Sequence, residues 1–275
     1  MKAFGFIGVG NMAGAMIGGI LKSGKAAPSD LIGSCRSPKS RERVKEKYGI
    51  EVTDDNRKVA ESCEILFLSV KPQMLDDVIG QIRGSVREDQ LVVTIAAGRS
   101  ISYYEEAFGN ENLHLVRLMP NTPALVGEAM TAACGSASVT SREMEKVGEI
   151  AETFGLFEIV PERLFDAVTG VSGSSPAYVF MMLEAMADAA VAGGMPRAQA
   201  YKFAAQAVLG SAKMLLDTGM HPGELKDMVC SPAGTTIEAV RVLEEKGLRS
   251  AVFEGTRACI DRSAAMNAPK NRSKS

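Results

Sequence analysis

Small residues near the start of the chain have the spacing of a phosphate-binding turn. The segment Gly8-Val9-Gly10-Asn11-Met12-Ala13 follows a strand-like run, Lys2–Ile7, and opens the helical spacing of Asn11–Ser23. In this context the first glycine permits a tight turn, the second lets the backbone approach a pyrophosphate, and the alanine keeps the helix close to the sheet. The helix N-terminus offers free N–H groups to the phosphates. We therefore predict a dinucleotide site; the alternative is a glycine-rich structural turn.

The end of the second predicted strand indicates which dinucleotide binds. NAD enzymes place an Asp or Glu there to bond the ribose 2′-hydroxyl. Here the strand ends at Ser34-Cys35-Arg36, without an acid and with a guanidinium suited to a phosphate. We predict NADP, with NADPH preferred and NADH possible, held by Ser34 and Arg36, although a basic surface residue is the alternative for Arg36.

Three further loops follow strand ends, where ligands bind in such sheets. Val70-Lys71-Pro72 follows the run EILFLSV, and Ala96-Ala97 follows LVVTI. Asn121, in a loop stiffened by two prolines, is the polar group expected to face the ligand cleft. Lys71 could instead be an ordinary surface lysine.

The groups available for acid–base chemistry are few. His114 lies in a predicted strand and His221 in a turn before Pro222, so we expect structural roles for both. Oxidation of a hydroxyl needs a base, and the first long helix has no good candidate. Reduction of a C=N bond needs fewer catalytic groups from the protein, because a protonated imine is already electrophilic.

The segment Ser231–Glu238 is the best candidate for binding an anionic substrate. Thr235 and Glu238 have the spacing of a capping box, which would leave the N–H groups of Gly234–Thr236 at the positive end of a helix. An ordinary capped helix is the alternative. A similar Gly/Ser turn, 170–176, is expected to open the first long helix at Ser174.

These loops require a sheet of parallel strands alternating with helices. Strands are expected at Lys2–Ile7, Leu31–Cys35, Glu64–Val70, Leu91–Ile95, Leu113–Leu118, Ala132–Cys134 and Glu158–Val160, and helices at Asn11–Ser23, Ser40–Tyr48, Arg57–Ser62, Leu75–Ile82 and Met144–Phe154. After Pro161 only helices are expected: Ser174–Gly194, Arg197–Thr218, Pro222–Met228, Thr235–Lys246 and Arg249–Ala265. We predict an α/β Rossmann-type domain, 1–160, and an all-α substrate-binding and dimerisation domain, 161–275.

Composition narrows the class of protein further. The formal net charge of −2 argues against nucleic-acid binding, and the basic residues Lys270, Arg272 and Lys274 read as a frayed tail. Five cysteines without a CxxC pair indicate neither a metal site nor a disulfide framework, which favours the cytoplasm.

The run Ala177–Gly194 is apolar nearly all the way round. Its two central acids, Glu184 and Asp188, would each cost about 2.5–3.5 kcal/mol at a bilayer centre, so we expect no membrane span. Such a helix must be covered on most sides. We expect a second subunit to cover it, in a homodimer built on Ser174–Thr218; a packed hairpin within the domain is the alternative.

Four stretches make the chain similar to the pyrroline-5-carboxylate reductases: FGFIGVGNMA at the start, LSVKPQ, DAVTGVSGSSPAYVF and HPGELKDMVCSPAGTTIEAV. The resemblance implies reduction of 1-pyrroline-5-carboxylate, an imino acid, to L-proline with NAD(P)H, the last step of proline biosynthesis, by dimers that often form decamers. It implies a cofactor site at Ile7, Gly8, Val9, Gly10 and Asn11, to which the glycine pattern adds Met12, and at Ser34, Arg36, Asn56, Val70, Lys71, Pro72, Ala96 and Ala97. For the substrate it implies Gly234, Thr235 and Thr236, with the Thr236 hydroxyl at the ring nitrogen as the catalytic group; Asn121 and Ser174 complete the predicted substrate residues.

Two departures from the family pattern bear on loop geometry. The family often has Gly where this chain has Ser175, and Gly where it has Ala233. A β-hydroxyacid dehydrogenase, the second enzyme class considered, would carry a lysine on the first long helix, and this helix has none. A protein that only senses NADP need not keep the substrate loop.

Overall fold

The computed structural model describes residues 1–267, which form an open sheet with helices and then a run of helices. The strands are β1 (Lys2–Ile7), β2 (Leu31–Ser34), β3 (Glu51–Thr53), β4 (Cys63–Leu68), β5 (Leu91–Thr94), β6 (Leu115–Met119), β7 (Ala129–Gly135) and β8 (Gly155–Ile159). The helices that alternate with them are α1 (Asn11–Lys22), α2 (Pro38–Tyr48), α3 (Asn56–Ser62), α4 (Leu75–Ile82), α5 (Ile101–Phe108) and α6 (Ser141–Ala151).

The strand order is β3-β2-β1-β4-β5-β6-β7-β8, and every neighbouring pair is parallel except β6 and β7. The chain order therefore reverses between β1 and β4, which opens a crevice at the carboxyl ends of those two strands. The expectation of a wholly parallel sheet is wrong at β7. The connection from Met119 to Ala129 is shorter than the crossover of about a dozen residues that a parallel neighbour needs.

Alternation along the central strands divides the core into two layers. Phe6 and Phe67 stack at a ring-centroid distance of 4.6 Å on the face that α1 covers, together with Met16. Ile7 and Leu68 pack on the opposite face. Because both faces are covered, the central strands are apolar throughout instead of alternating with polar residues.

Sequence signals for the other helices are local and clear. The hydroxyl of Ser37 caps α2, Pro38 occupies its first turn, and Gly49 ends it with φ 68°. Three elements were not expected: β3, which is only 3 residues long, α5, which Ser100 caps, and the short helix Phe165–Val168.

The last helices are α7 (Phe165–Val168), α8 (Ser175–Ala192), α9 (Arg197–Thr218), α10 (Pro222–Val229), α11 (Thr235–Glu245) and α12 (Leu248–Asn267). A single π-helical turn, Thr169–Gly173, follows α7. The predicted helices of this half are confirmed, with ends shifted by a few residues.

The chain divides into two compact units. Among the described residues, unit 1 comprises Met1–Ser174 together with Cys259–Asn267, and unit 2 comprises Ser175–Ala258. Within unit 1, the end of α12 is fixed because the Ser263 hydroxyl and the Asn267 amide each donate to Asp166 Oδ1 at 2.6 Å. The division of the chain at 160/161 stays a prediction, and the basic residues at 270–274 lie outside the described part.

Unit 2 has few buried side chains of its own. Of the described residues of α8, Ala187 alone is buried, and α9 contributes Ala200 and Ala204. Phe180 is 61 % exposed and Phe203 is 66 % exposed. Across residues 1–267, no helix is long and apolar enough to cross a membrane.

Candidate active site

The predicted cofactor loops all leave the carboxyl edge of the sheet, and hydrogen bonds extend the strand pairing into them. The N–H groups of Gly8 and Val9 both donate to the Ser34 carbonyl, at 3.2 and 3.0 Å. The Ser69 N–H donates to Ile7 O at 2.9 Å, and the Ile95 N–H donates to Leu68 O at 3.3 Å. The structure thus brings together the loops after β1, β2, β4 and β5.

The two glycines of the first loop have different reasons to be glycine. Gly8 has φ +87°, and a Cβ there would lie 2.5 Å from Val70 Cγ1, so the fold itself excludes a side chain. Gly10 has an ordinary φ of −93°, and a Cβ there would meet nothing within 4 Å. Nothing in the described protein requires Gly10.

Gly10 is also the N-cap of α1, and no side chain of the described residues caps that helix. The N–H groups of the first turn, at Asn11, Met12 and Ala13, therefore have no side-chain acceptor among the described residues. Ala13 is 1 % exposed and lets the helix lie close to the sheet.

Polar groups at the end of β2 are already connected to one another. The Ser34 hydroxyl donates to Asn56 Oδ1 at 2.7 Å and accepts from the Gly8 N–H at 3.3 Å. The Asn56 amide donates in turn to Gln81 Oε1 at 2.8 Å. Gln81 was not expected here, because no local pattern connects α4 to the end of β2.

Arg36 is exposed, and within residues 1–267 its guanidinium forms no ion pair. Its backbone is held by Arg41, whose Nη1 donates to Cys35 O at 3.1 Å and to Arg36 O at 3.2 Å. Arg41 also pairs with Asp54 at 3.3 Å. Arg41 therefore positions the loop, and the Arg36 guanidinium stays exposed.

The loops after β4 and β5 are each held by a local hydrogen bond. The exposed Lys71 precedes a 3₁₀ turn, Pro72–Met74, and its carbonyl accepts from the Met74 N–H at 2.9 Å. Ala96 is 7 % exposed, and its N–H donates to Thr94 Oγ1 at 3.3 Å.

Two predicted substrate residues have internal partners. The Asn121 amide donates to Ser172 O and Oγ, both at 3.3 Å, while its Oδ1 accepts from the Met130 N–H at 3.0 Å. The Ser174 hydroxyl accepts from Cys259 Sγ at 3.2 Å. The helix expected to open at Ser174 begins at Ser175, and the Ser174 N–H donates to Thr169 O at 2.9 Å.

The predicted capping box at α11 is also wrong. The N-cap is Gly234, Thr235 is already helical, and Glu238 accepts from Arg241 Nε at 3.1 Å. Within the described chain no side chain caps α11, so the first-turn N–H groups, including that of the partly exposed Thr236, remain available.

The turn before α11 is tightly wound. Ala233 has φ 55°, a left-handed conformation that favours glycine. A Cβ at Gly234 would lie 2.3 Å from Ser231 Oγ and 3.1 Å from Ser231 O, so a side chain there would force Ser231 to shift. The departure from glycine at Ala233 therefore falls at the one described non-glycine residue with positive φ.

The two histidines are held by local contacts, and Cys63 and Cys134 are buried. His114 Nδ1 lies 2.8 Å from Glu143 Oε1, just before β6, and His221 Nδ1 accepts from the Gly223 N–H at 3.0 Å. Burial raises the pKa of the Cys63 and Cys134 thiols to about 12, so neither is a thiolate at neutral pH. No cluster that could hold a metal ion occurs within residues 1–267.

Comparison with known proteins finds matches along the whole described chain. Residues 162–266 match the family model described as pyrroline-5-carboxylate reductase dimerisation, and residues 3–98 match the one described as NADP oxidoreductase coenzyme F420-dependent. The chain is 50 % identical to the pyrroline-5-carboxylate reductase of Escherichia coli K12, over 97 % of this chain and 98 % of that one. It is 44 % identical to the Methanosarcina acetivorans enzyme of the same name, over 95 % and 97 % of the two chains.

Solved structures of pyrroline-5-carboxylate reductases superpose on this chain over nearly its whole length. The crystal structure of Plasmodium falciparum pyrroline carboxylate reductase with NADP bound superposes with a TM-score of 0.89 at 28 % identity, covering 97 % of this chain and 98 % of that one. The enzyme of Streptococcus pyogenes superposes with a TM-score of 0.86 at 32 % identity, covering 96 % and 98 %.

Proposed function

The chain belongs to the pyrroline-5-carboxylate reductase family and reduces 1-pyrroline-5-carboxylate to L-proline with NAD(P)H, and we propose that NADPH is its preferred cofactor. Within unit 1 we assign cofactor binding to the loops at the carboxyl edge of the sheet. Their residues are Ile7–Met12, Ser34, Arg36, Asn56, Val70–Pro72 and Ala96–Ala97. When bound, NADPH supplies the hydride.

Gly10 is the observation that carries this assignment. A glycine with ordinary φ and no neighbour within 4 Å of a Cβ fits a surface that a diphosphate approaches closely. The uncapped first turn of α1 supplies N–H donors and the positive end of the helix dipole to the same group.

The preference for NADPH rests on Arg36. Its exposed guanidinium has no acidic partner among the described residues, and a guanidinium suits a 2′-phosphate. Ser34 can add a hydroxyl contact, although its present bond to Asn56 at 2.7 Å must then be exchanged or shared.

We assign the substrate carboxylate to the N–H groups of Gly234–Thr236 in unit 2. The absence of a side-chain cap in this described segment supports an anion at the N–H groups of Thr235 and Thr236, whereas the Gly234 N–H already donates to Ser231 O at 3.1 Å and would have to exchange that bond. The Thr236 hydroxyl then holds the ring nitrogen. The imine nitrogen must carry a proton as its carbon accepts hydride, and solution can supply that proton, so Thr236 orients the ring and shares in the proton relay.

Asn121 and Ser174 are also proposed to act on the substrate side. The bonds of Asn121 to Ser172 and of Ser174 to Cys259 support a positioning role. Direct contact with the substrate would require those bonds to be exchanged.

The chain is a homo-oligomer, and we propose a homodimer built on Ser174–Thr218, which further assembles into a decamer. The apolar side chains that α8 and α9 expose in one chain support this proposal: Phe180, Met181, Met182, Val191, Phe203 and Leu209. We also propose a cytoplasmic location, since all five cysteines are free thiols and three of them are buried.

A turnover assay with NADPH and pyrroline-5-carboxylate tests the activity, and equilibrium binding of NADPH to Gly10→Ala tests the cofactor site. We expect proline formation by the wild type and strongly weakened NADPH binding by a Gly10→Ala variant that still folds. Normal NADPH affinity in that variant would contradict the assigned site.

A further inference from the structure

Few buried polar atoms in residues 1–267 lack a hydrogen-bond partner. They are Ser69 Oγ, Arg99 Nε, Thr131 Oγ1 and Asn267 Oδ1. The Arg99 guanidinium stacks on the Tyr103 ring at 4.6 Å, and the Asn267 amide donates to Asp166, so both side chains are engaged through other atoms. Ser69 and Thr131 have no other polar side-chain atom, so their hydroxyls are wholly unpaired.

Ser69 lies at the point where the strand order reverses. It is the first residue after β4, and its N–H donates to Ile7 O at the end of β1. A Cβ at Gly8 would lie 3.3 Å from the Ser69 carbonyl. The residue before it, Leu68, accepts from Ile95 in the loop after β5. Ser69 is therefore enclosed by the loops assigned to the cofactor.

The alternation of β4 indicates which way Ser69 faces. Phe67 packs in the layer that α1 covers, and Leu68 packs in the opposite layer. Ser69 follows Phe67 by two residues, which places it on the α1 face. The uncapped first turn of α1 begins at the carboxyl edge of that same face.

The Ser69 hydroxyl is buried although the residue as a whole is partly exposed. Rotation about its Cα–Cβ bond can therefore carry the oxygen from its unpaired position to the surface. A buried hydroxyl without a partner destabilises the free chain, whereas a hydroxyl that donates to an anionic oxygen forms a strong bond.

We propose that Ser69 is a cofactor-binding residue whose hydroxyl donates to the part of the dinucleotide that NADPH and NADH share. This inference rests on the cofactor site proposed above. It differs from the role of Arg36, which acts only on the 2′-phosphate. Binding of either cofactor gives the Ser69 hydroxyl an acceptor that it lacks in the free chain. The cost of the unpaired hydroxyl is then offset only in the complex.

Ser69→Ala tests the proposal by calorimetric titration with NADPH and, separately, with NADH; the chain contains no Trp to serve as a fluorescence probe. We expect the Kd for both cofactors to rise about threefold to tenfold, where tenfold corresponds to about 1.4 kcal/mol. The melting temperature of the free variant should be unchanged or higher, because an unpaired buried group has been removed.

Thr131→Val is the matched control. Thr131 is fully buried in β7, three strands away from β4 in the sheet, and its hydroxyl is also unpaired. This variant should leave the Kd for both cofactors unchanged, and its melting temperature should not fall. Arg36→Ala provides the other contrast, since it should weaken NADPH and spare NADH.

Two results would overturn the inference. One is a Kd within twofold of the wild type for both cofactors in Ser69→Ala. The other is a melting temperature several degrees lower, which would mean that the hydroxyl has a stabilising partner in the free chain. If Gly10→Ala also binds both cofactors normally, the cofactor site itself is wrong; if only Ser69→Ala binds normally, the error lies with Ser69.

Discussion

Gly8 and Gly10 provide a sharp test, because one added methyl group should affect a different property at each position. At Gly8 it should lower the stability of the fold, and at Gly10 it should lower cofactor affinity. In Gly8→Ala the new Cβ would lie 2.5 Å from Val70 Cγ1 at φ +87°. The left-handed conformation costs a non-glycine residue about 1–2 kcal/mol. Overpacking against Val70 adds roughly 1–3 kcal/mol. We therefore expect Gly8→Ala to lower the free energy of unfolding by about 2–5 kcal/mol.

Gly10→Ala places its Cβ in open space at φ −93°. Alanine is a poorer N-cap than glycine by up to about 1 kcal/mol. The lower entropy of the unfolded chain returns about 0.4–1 kcal/mol, so stability should change little. Cofactor affinity should fall, because the Cβ lies where the diphosphate must approach. Losing one hydrogen bond to a charged group is worth about 1.5–3 kcal/mol, or roughly tenfold to hundredfold in Kd.

Urea unfolding of the free variants and calorimetric titration with NADPH measure the two effects separately. Gly84→Ala is the control, since it adds the same methyl group at an exposed glycine with nothing within 4 Å. It should leave both quantities near their wild-type values. A Gly10→Ala variant that binds NADPH as the wild type does would refute the reasoning, and so would a Gly8→Ala variant of normal stability.

The remaining predictions concern cofactor choice, mechanism, assembly and the strained turn. Arg36→Ala should weaken NADPH by about 1.5–3 kcal/mol and leave NADH nearly unchanged; an unchanged Michaelis constant for NADPH would reject the assignment. Thr236→Val should lower kcat by no more than about a hundredfold, with a nearly unchanged NADPH Michaelis constant, and a wild-type kcat would show that the hydroxyl serves neither orientation nor proton relay. Met182→Glu and Val191→Asp should dissociate or unfold the oligomer, because an unpaired charge is costly to bury, and a stable, folded wild-type monomer at low micromolar concentration in sedimentation would count against the dimer. Ala233→Gly should raise stability by up to about 1 kcal/mol as the left-handed strain is removed, measured by urea unfolding; a loss of stability would mean that the strain is compensated within the turn.

Expectations drawn from neighbouring residues were largely confirmed. Strand and helix periodicity depends on residues close in sequence, and the structure contains the expected strands and helices with ends shifted by a few residues. The capping box at α11 was wrong for a related reason. The Thr235–Glu238 spacing is compatible with a cap at Thr235, but the tight turn at Ala233 and Gly234 starts the helix one residue earlier than that cap requires.

Expectations that depended on distant contacts were harder to make. The direction of β7 follows from a short connection, but its partners come from β6 and β8. A π-helical turn, Thr169–Gly173, precedes the helix expected to open at Ser174, and Ser174 contacts Cys259, far away in sequence. The link from Ser34 through Asn56 to Gln81 joins three separate elements, which no local pattern could indicate.

The sequence by itself determined the class of this protein. The glycine spacing after a short apolar strand, the missing acid after β2 and the switch from alternating elements to helices are local properties, because turns and periodicities are set by neighbouring residues. Only the tertiary structure decided why each of these residues is present. The structure shows that the fold requires glycine at position 8 but not at position 10. It also shows that the buried Ser69 hydroxyl has no hydrogen-bond partner among the described residues. Steric room and hydrogen-bond satisfaction depend on atoms that folding brings together from distant positions, and the chain order does not contain that information in readable form.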